Sequence, residues 1–134
     1  MVAKKSLRDT AQAGTTPLPK LSDYDGEMLV IDCSTMEFKA FVSEFGESTN
    51  PCGMVLVIHP DKSYTALPNT AIFAQAIAKD VEICWANLTA DPDGNRYVVG
   101  RLGKRGRSWL LDEPEDAAEW SAIESAVAAY EKAF

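Results

Sequence analysis

Two short apolar runs, Tyr97-Val98-Val99 and Trp109-Leu110-Leu111, are separated by Gly100-Arg101-Leu102-Gly103-Lys104-Arg105-Gly106-Arg107-Ser108. Runs of that kind read as buried strands. The glycine-rich charged segment between them makes a good turn and a poor strand interior. The stretch therefore predicts a β-hairpin whose tip and flanks carry Arg96, Arg101, Lys104, Arg105 and Arg107. These are five of the chain's 13 basic residues, with no acid among them, in a chain of net charge -7. A basic cluster inside an acidic chain points to a polyanion. Tyr97 and Trp109 flank the charge and offer stacking surfaces for bases. Taken singly, each aromatic is more often a core residue, and the cations fit a solvated hairpin tip.

Upstream, Glu27 to Cys33 reads as a first strand that is apolar on both sides and therefore central. Met36 to Phe45 continues with alternating parity, so the two segments together read as one long, bent strand. Residues 46–53 turn the chain, and Met54 to Ile58 is a second buried strand stopped by Pro60. Ser63 to Leu67 is a short third strand. Asn69 or Thr70 suits a helix N-cap. Ala71 to Lys79 has helical spacing, with Ile72, Phe73, Ala76 and Ile77 on one face. Val81 to Leu88 is apolar and β-prone, and Asp91-Pro92-Asp93-Gly94-Asn95 is a turn that leads into the hairpin.

Beyond Leu111 the composition changes. Asp112-Glu113-Pro114 reads as a helix start, and Trp120, Ile123, Val127, Tyr130 and Phe134 form one apolar stripe. From residue 112 to the end, seven acids stand against Lys132 alone. The stripe predicts burial of Trp120, Ile123, Val127 and Tyr130, on the barrel or against a second copy. The expected organisation is a flexible arm over residues 1–20, an OB-like barrel over 21–112 and an acidic amphipathic helix over 113–134. The element order, with a short helix between strands three and four, predicts a mostly β fold: an OB-fold-like five-stranded Greek-key barrel with an appended C-terminal helix. In that arrangement the loop between strands four and five, which holds Lys104 and Arg105, lies beside the binding face.

The residues Leu21 to Ile31, Met54 to Ile58, Ala71-Ile72-Phe73, Val99-Gly100-Arg101-Leu102-Gly103 and Trp109-Leu110-Leu111-Asp112, followed by the acidic Ala-rich helix, carry a resemblance. Over residues 21–134 the chain resembles the small OB-fold, single-stranded-DNA-binding-like proteins encoded by phages of actinobacteria. It departs from them in its short Lys104-Arg105-Gly106-Arg107 loop and in an apparent insertion over 86–95. The resemblance implies an OB-fold that binds single-stranded DNA during phage replication or recombination, in the host cytoplasm, with replication or recombination proteins as partners.

The expected function is non-enzymatic, largely sequence-independent single-stranded DNA binding. Arg96, Arg101, Lys104, Arg105 and Arg107 would neutralise phosphates. Tyr97, Trp109, Phe41, Phe45 and Tyr64 would stack on bases. The alternative is an acidic interaction module that inhibits or recruits a host protein through the C-terminal helix and the basic hairpin. No paired carboxylates and no glycine-rich phosphate loop after a strand point to an enzyme, and no cofactor is implied. Cys33, Cys52 and Cys84 form no CxxC pair, and with His59 their spacing fits no zinc knuckle. They read as reduced, buried thiols without metal. Cys52 with His59 lacks an orienting third group for nucleophilic chemistry. No run approaches the roughly 18 apolar residues of a membrane span, and the N-terminus lacks the apolar core of a signal peptide, so a cytoplasmic protein is expected. A homo-oligomer through the C-terminal helix is a further expectation.

Overall fold

Strand β1 (Met28–Asp32) is buried at every position, because both of its faces are covered and both of its edges are paired. The computed structural model describes residues 20–44 and 46–133. After β1 come β2 (Glu37–Ser43), β3 (Gly46–Ile58), β4 (Tyr64–Ala71), helix α1 (Gln75–Ala90), β5 (Tyr97–Arg105), β6 (Ser108–Asp112) and helix α2 (Ala117–Ala133). β1 runs antiparallel to β3 on one side, with Met28 opposite Ile58, and to β5 on the other, with Asp32 opposite Tyr97. Cys52 of β3 pairs with Glu37 across one edge and with Ala71 across the other. β2 therefore lies on the same edge of β3 as β1.

β1 and β2 are thus two parts of one bent strand, broken by a 3-10 turn at Cys33–Thr35. Local side-chain bonds make the break. Asp32 Oδ1 accepts from the backbone N–H and the hydroxyl of Ser34, at 3.1 and 2.6 Å, and the Thr35 hydroxyl donates to the Asp32 carbonyl at 2.7 Å. Short polar side chains compete in this way with ladder bonds. Gly53 of β3 accommodates the turn: a Cβ there would lie 2.8 Å from Thr35 Oγ1.

The sheet has six antiparallel strands, in the order β4-β3-β1-β5-β6 with β2 continuing β1 along β3. The mostly β architecture agrees with the sequence. The count of five strands becomes six because of the 3-10 break. The sheet is open, since no pairing joins β4 to β6 among the described residues. A helix on each face gives the two apolar sides of β1 and β3 cover without closure. α1 packs Ile77 and Val81 on Leu29, Ile31, Val55, Val57 and Leu102. α2 packs Ala122, Ile123, Ala126 and Tyr130 on Met28, Val30, Leu56 and Ile58.

α1 is 16 residues long and absorbs the segment Val81–Leu88 that reads as β-prone. Ile77, Val81, Cys84 and Leu88 repeat at four, three and four, so all turn to the core. This periodicity overrides the strand preference of Val81, Ile83 and Trp85. The helix N-cap is Ala74 rather than Asn69 or Thr70. α2 starts at Ala117 rather than at Asp112-Glu113-Pro114, because Asp112 still belongs to β6. Asp116 Oδ1 caps the helix by accepting from the Glu119 N–H at 2.8 Å. Trp120 departs from the expected stripe and is 43 % exposed, while Ala122 and Ala126 take the buried positions beside Ile123 and Tyr130. Cys33 and Cys52 are buried, and Cys84 is half-buried. Among the described residues no helix is long and apolar enough to cross a membrane. The expected arm falls almost wholly on residues 1–19, outside the described residues, as does Phe134.

Candidate nucleic-acid interface

The hairpin forms as its sequence requires. β5 and β6 pair from Arg101↔Asp112 to Arg105↔Ser108, and Gly106 supplies the left-handed turn at φ +62°. Strand alternation then divides its cations. Tyr97, Val99, Arg101 and Arg105 project towards α2, while Val98, Leu102 and Lys104 project towards the α1 side. On the α2 side the Arg101 guanidinium pairs with Glu119 and also donates to the Gly26 carbonyl at 2.8 Å. Arg105 pairs with Asp112 across the hairpin. On the α1 side the Lys104 ammonium lies over the Trp109 ring, 5.6 Å from its centroid.

Arg96 has a different setting. Its Nε and Nη2 donate to the two oxygens of Asp32, at 3.1 and 2.6 Å. Asp32 is fully buried, and the Tyr130 hydroxyl donates to its Oδ2 at 2.6 Å. Burial raises the Asp32 pKa, but the bonds from Arg96, Ser34 and Tyr130 outweigh it, so the carboxyl titrates below its ordinary value. The same carboxylate holds the Arg96 guanidinium charged. Burial and the Asp32 bond push Tyr130 up to about 12. Tyr97, half-buried and donating to Glu131 at 2.6 Å, is raised for the same two kinds of reason. These groups lock α2 to the sheet. They hold Arg96 and Tyr97 in internal contacts.

The remaining pieces meet on the α1 side. A groove of about 440 Å³ lies between the hairpin tip and the connection from β4 to α1. Lys20 and Arg107 line it, together with Phe73 and Trp109, and Leu21, Ala71 and Gln75 are among the other wall residues. Among the described residues its lining includes no carboxylate. By contrast, a groove at the α2 end sets Glu27, Asp116 and Glu119 around Arg101, and the one beside it sets Asp112, Glu113 and Glu115 around Arg101 and Arg105. Phe73 is 58 % exposed, and its ring meets Phe41 edge to face at 4.9 Å. Phe41 therefore adjoins the groove.

Of the residues expected from sequence, Arg107 and Trp109 line the groove, and Lys104 and Phe41 flank it. Arg101 and Arg105 lie across the sheet with acidic partners. Tyr64 is also on the α2 side, its ring 6.2 Å from that of Tyr130. Phe45 lies outside the described residues. Lys20 and Phe73 were not singled out by sequence. Lys20 reads as the end of the arm, and its backbone instead bridges to Ala71 at the groove wall. Phe73 reads as a core position of a helix that in fact begins two residues later. Comparison with known proteins found no family model, no curated protein and no solved structure that matches the chain.

Proposed function

We propose that the chain binds single-stranded DNA through this groove, without catalysis and with little sequence preference. One observation carries the reading: in a chain of net charge -7, a groove with no carboxylate among its described lining residues brings Lys20 and Arg107 together with Phe73 and Trp109. Cations beside the exposed Phe73 ring and the half-buried Trp109 ring are what a flexible polyanion with stacking bases requires, and duplex DNA offers no free bases to such rings. We read the sheet as an OB-fold-like Greek-key barrel left open between its end strands. The strand order and the position of α1 between β4 and β5 support this, and the Gly106–Arg107 turn then falls in the loop between the last two strands, which such folds use for oligonucleotides. In that role the chain would serve phage replication or recombination.

The test is fluorescence anisotropy with labelled oligo-dT at low and moderate salt. Lys20→Ala/Arg107→Ala is expected to weaken binding and to make the salt dependence shallower by about 1.4 logarithmic units, at roughly 0.7 per phosphate on a single strand. Phe73→Ala is expected to cost about 1–3 kcal/mol of binding. Arg105→Ala, whose guanidinium already pairs with Asp112, is expected to matter less than Arg107→Ala. Wild type that fails to bind at low salt, or a double variant with unchanged affinity and slope, refutes the reading. In the first case the interaction-module reading takes over. It is favoured by Trp120, left 43 % exposed on the acidic helix α2.

A further inference from the structure

The unguarded feature of the surface is the outer edge of β2. β5 stops pairing at Asp32↔Tyr97, so beyond the 3-10 turn no strand covers that edge among the described residues. The other two sheet edges are protected. β4 carries Pro68, which has no N–H, and Asn69 in the left-handed region at φ 56°. β6 is five residues long and has α1 packed beside it.

The backbone of β2 can be oriented from Pro51. Phe38 pairs with Pro51, which lacks an N–H, and the Pro51 carbonyl accepts from Ile72 N on the opposite side of β3 at 3.0 Å. Phe38↔Pro51 is therefore a pair without mutual ladder bonds. Antiparallel pairs alternate, and the register runs unbroken from Glu37↔Cys52 to Ser43↔Gly46. The N–H and C=O groups of Phe38, Ala40 and Val42 thus point away from β3, towards the open edge. On one face of the strand the same three residues form an apolar row. Val42 is 80 % exposed, Ala40 is exposed and Phe38 is half-buried against Trp85.

We propose that two copies of the chain pair antiparallel along β2, about a two-fold axis at Ala40. The strand is self-complementary in that register. Ala40 meets the partner's Ala40 with both ladder bonds made, and Phe38 meets the partner's Val42 on the same face, twice by symmetry. On the other face Lys39 meets the partner's Phe41. No like charges lie directly opposite. Lys39 is the strand's one edge-guarding lysine, and it stands on the face away from the apolar row. A seven-residue strand makes a small interface, so dissociation is expected on the order of 10 µM. The pairing rests on the backbone of β2 and not on what the groove binds, although Phe41 of the same strand flanks the groove.

Sedimentation velocity on the full chain from about 1 to 200 µM reads the equilibrium across the expected range. Wild type is expected to pass from monomer to dimer. Val42→Lys is expected to raise the midpoint about tenfold or more, with an unchanged melt, because the side chain is exposed. Ala40→Pro removes an outward N–H and is expected to act in the same direction by a second route. Amide hydrogen exchange adds the register. The amides of Phe38, Ala40 and Val42 are expected to slow with concentration, and those of Lys39 and Phe41, already bonded to β3, are expected not to. A wild type that stays monomeric throughout overturns the proposal. So does a dimer whose midpoint neither variant moves, or one that leaves the three amides unprotected.

Discussion

Tyr130→Phe removes one hydroxyl from the contact that holds α2 on the sheet. Tyr130 is 2 % exposed, and its hydroxyl donates to the fully buried Asp32 at 2.6 Å. A hydrogen bond to a charged group contributes about 1.5–3 kcal/mol. Asp32 keeps Arg96 and Ser34 after the change, so it is not left bare, and the lower end applies: about 1.5–2 kcal/mol. The ring stays, so no cavity is opened. Urea unfolding at pH 7 measures the loss, with an unchanged slope if only the folded state is affected. For a domain of this size the melting temperature should fall by about 5–8 °C. Tyr97→Phe is the internal control. Its hydroxyl bonds the exposed Glu131, where water replaces the lost partner, and about 0.5 kcal/mol or less is expected. If Tyr130→Phe costs no more than Tyr97→Phe, α2 is not docked through a buried carboxylate and the account of that face is wrong.

Two further outcomes follow from the same packing. The Asp32 carboxyl titrates below its ordinary value when folded, so its contribution to stability is complete above the unfolded carboxylate range and is lost as pH falls through the lower folded value. Tyr130 is raised to about 12, so its contribution is complete below the ordinary tyrosine range and is lost as pH rises through that value. Urea midpoints followed with pH should fall at both ends, and Tyr130→Phe should flatten the alkaline side; an alkaline fall identical in that variant would remove Tyr130 from the account. Gly100→Ala would place a Cβ 2.7 Å from Leu111 Cβ and 2.8 Å from the Asp112 carbonyl. A loss of about 1–3 kcal/mol is expected in thermal or urea unfolding, and a variant as stable as wild type would mean that β5 and β6 are not packed this closely.

The strands were legible where apolar patterning and turn chemistry agreed. Met28 to Asp32 reads as central because both parities are apolar, and it is paired on both edges. The hairpin was legible but its tip was not: Lys104 and Arg105, expected in the loop, lie in β5, and the turn is Gly106–Arg107 with Gly106 left-handed. The break between β1 and β2 was less legible. It depends on Ser34 and Thr35 bonding back to Asp32, and on Gly53 lying across from them, a relation between residues about 20 positions apart. The α1 error has a local cause. Val81, Ile83 and Trp85 favour strands, but Ile77, Val81, Cys84 and Leu88 had a core to turn towards, and that core is assembled from the rest of the chain. Trp120 had the right spacing for burial, yet the sheet offers α2 room for Ala122 and Ala126 at close approach instead.

The candidate site was half legible for an electrostatic reason. Sequence presents a basic hairpin and an acidic C-terminal block as separate runs, and counting the first gives five phosphate contacts. Folding pairs the two runs across the sheet: Arg101 with Glu119, Arg105 with Asp112, and the Tyr97 hydroxyl with Glu131. Arg96 is drawn inward to Asp32. Alternation along β5 decides which cations meet those acids, since odd positions face α2 and even positions do not. What remains for a polyanion is Lys104, Arg107 and the unforeseen Lys20, all on the α1 side. Five contacts would give a logarithmic salt slope of about -3.5 on a single strand, and three give about -2. The wild-type slope for a short oligo-dT, held to the length of the groove, therefore separates the two counts. A value near -3.5 would mean that nucleic acid displaces Glu119 from Arg101 and Asp112 from Arg105, and a value near -2 that the internal pairs stay closed while the strand is bound.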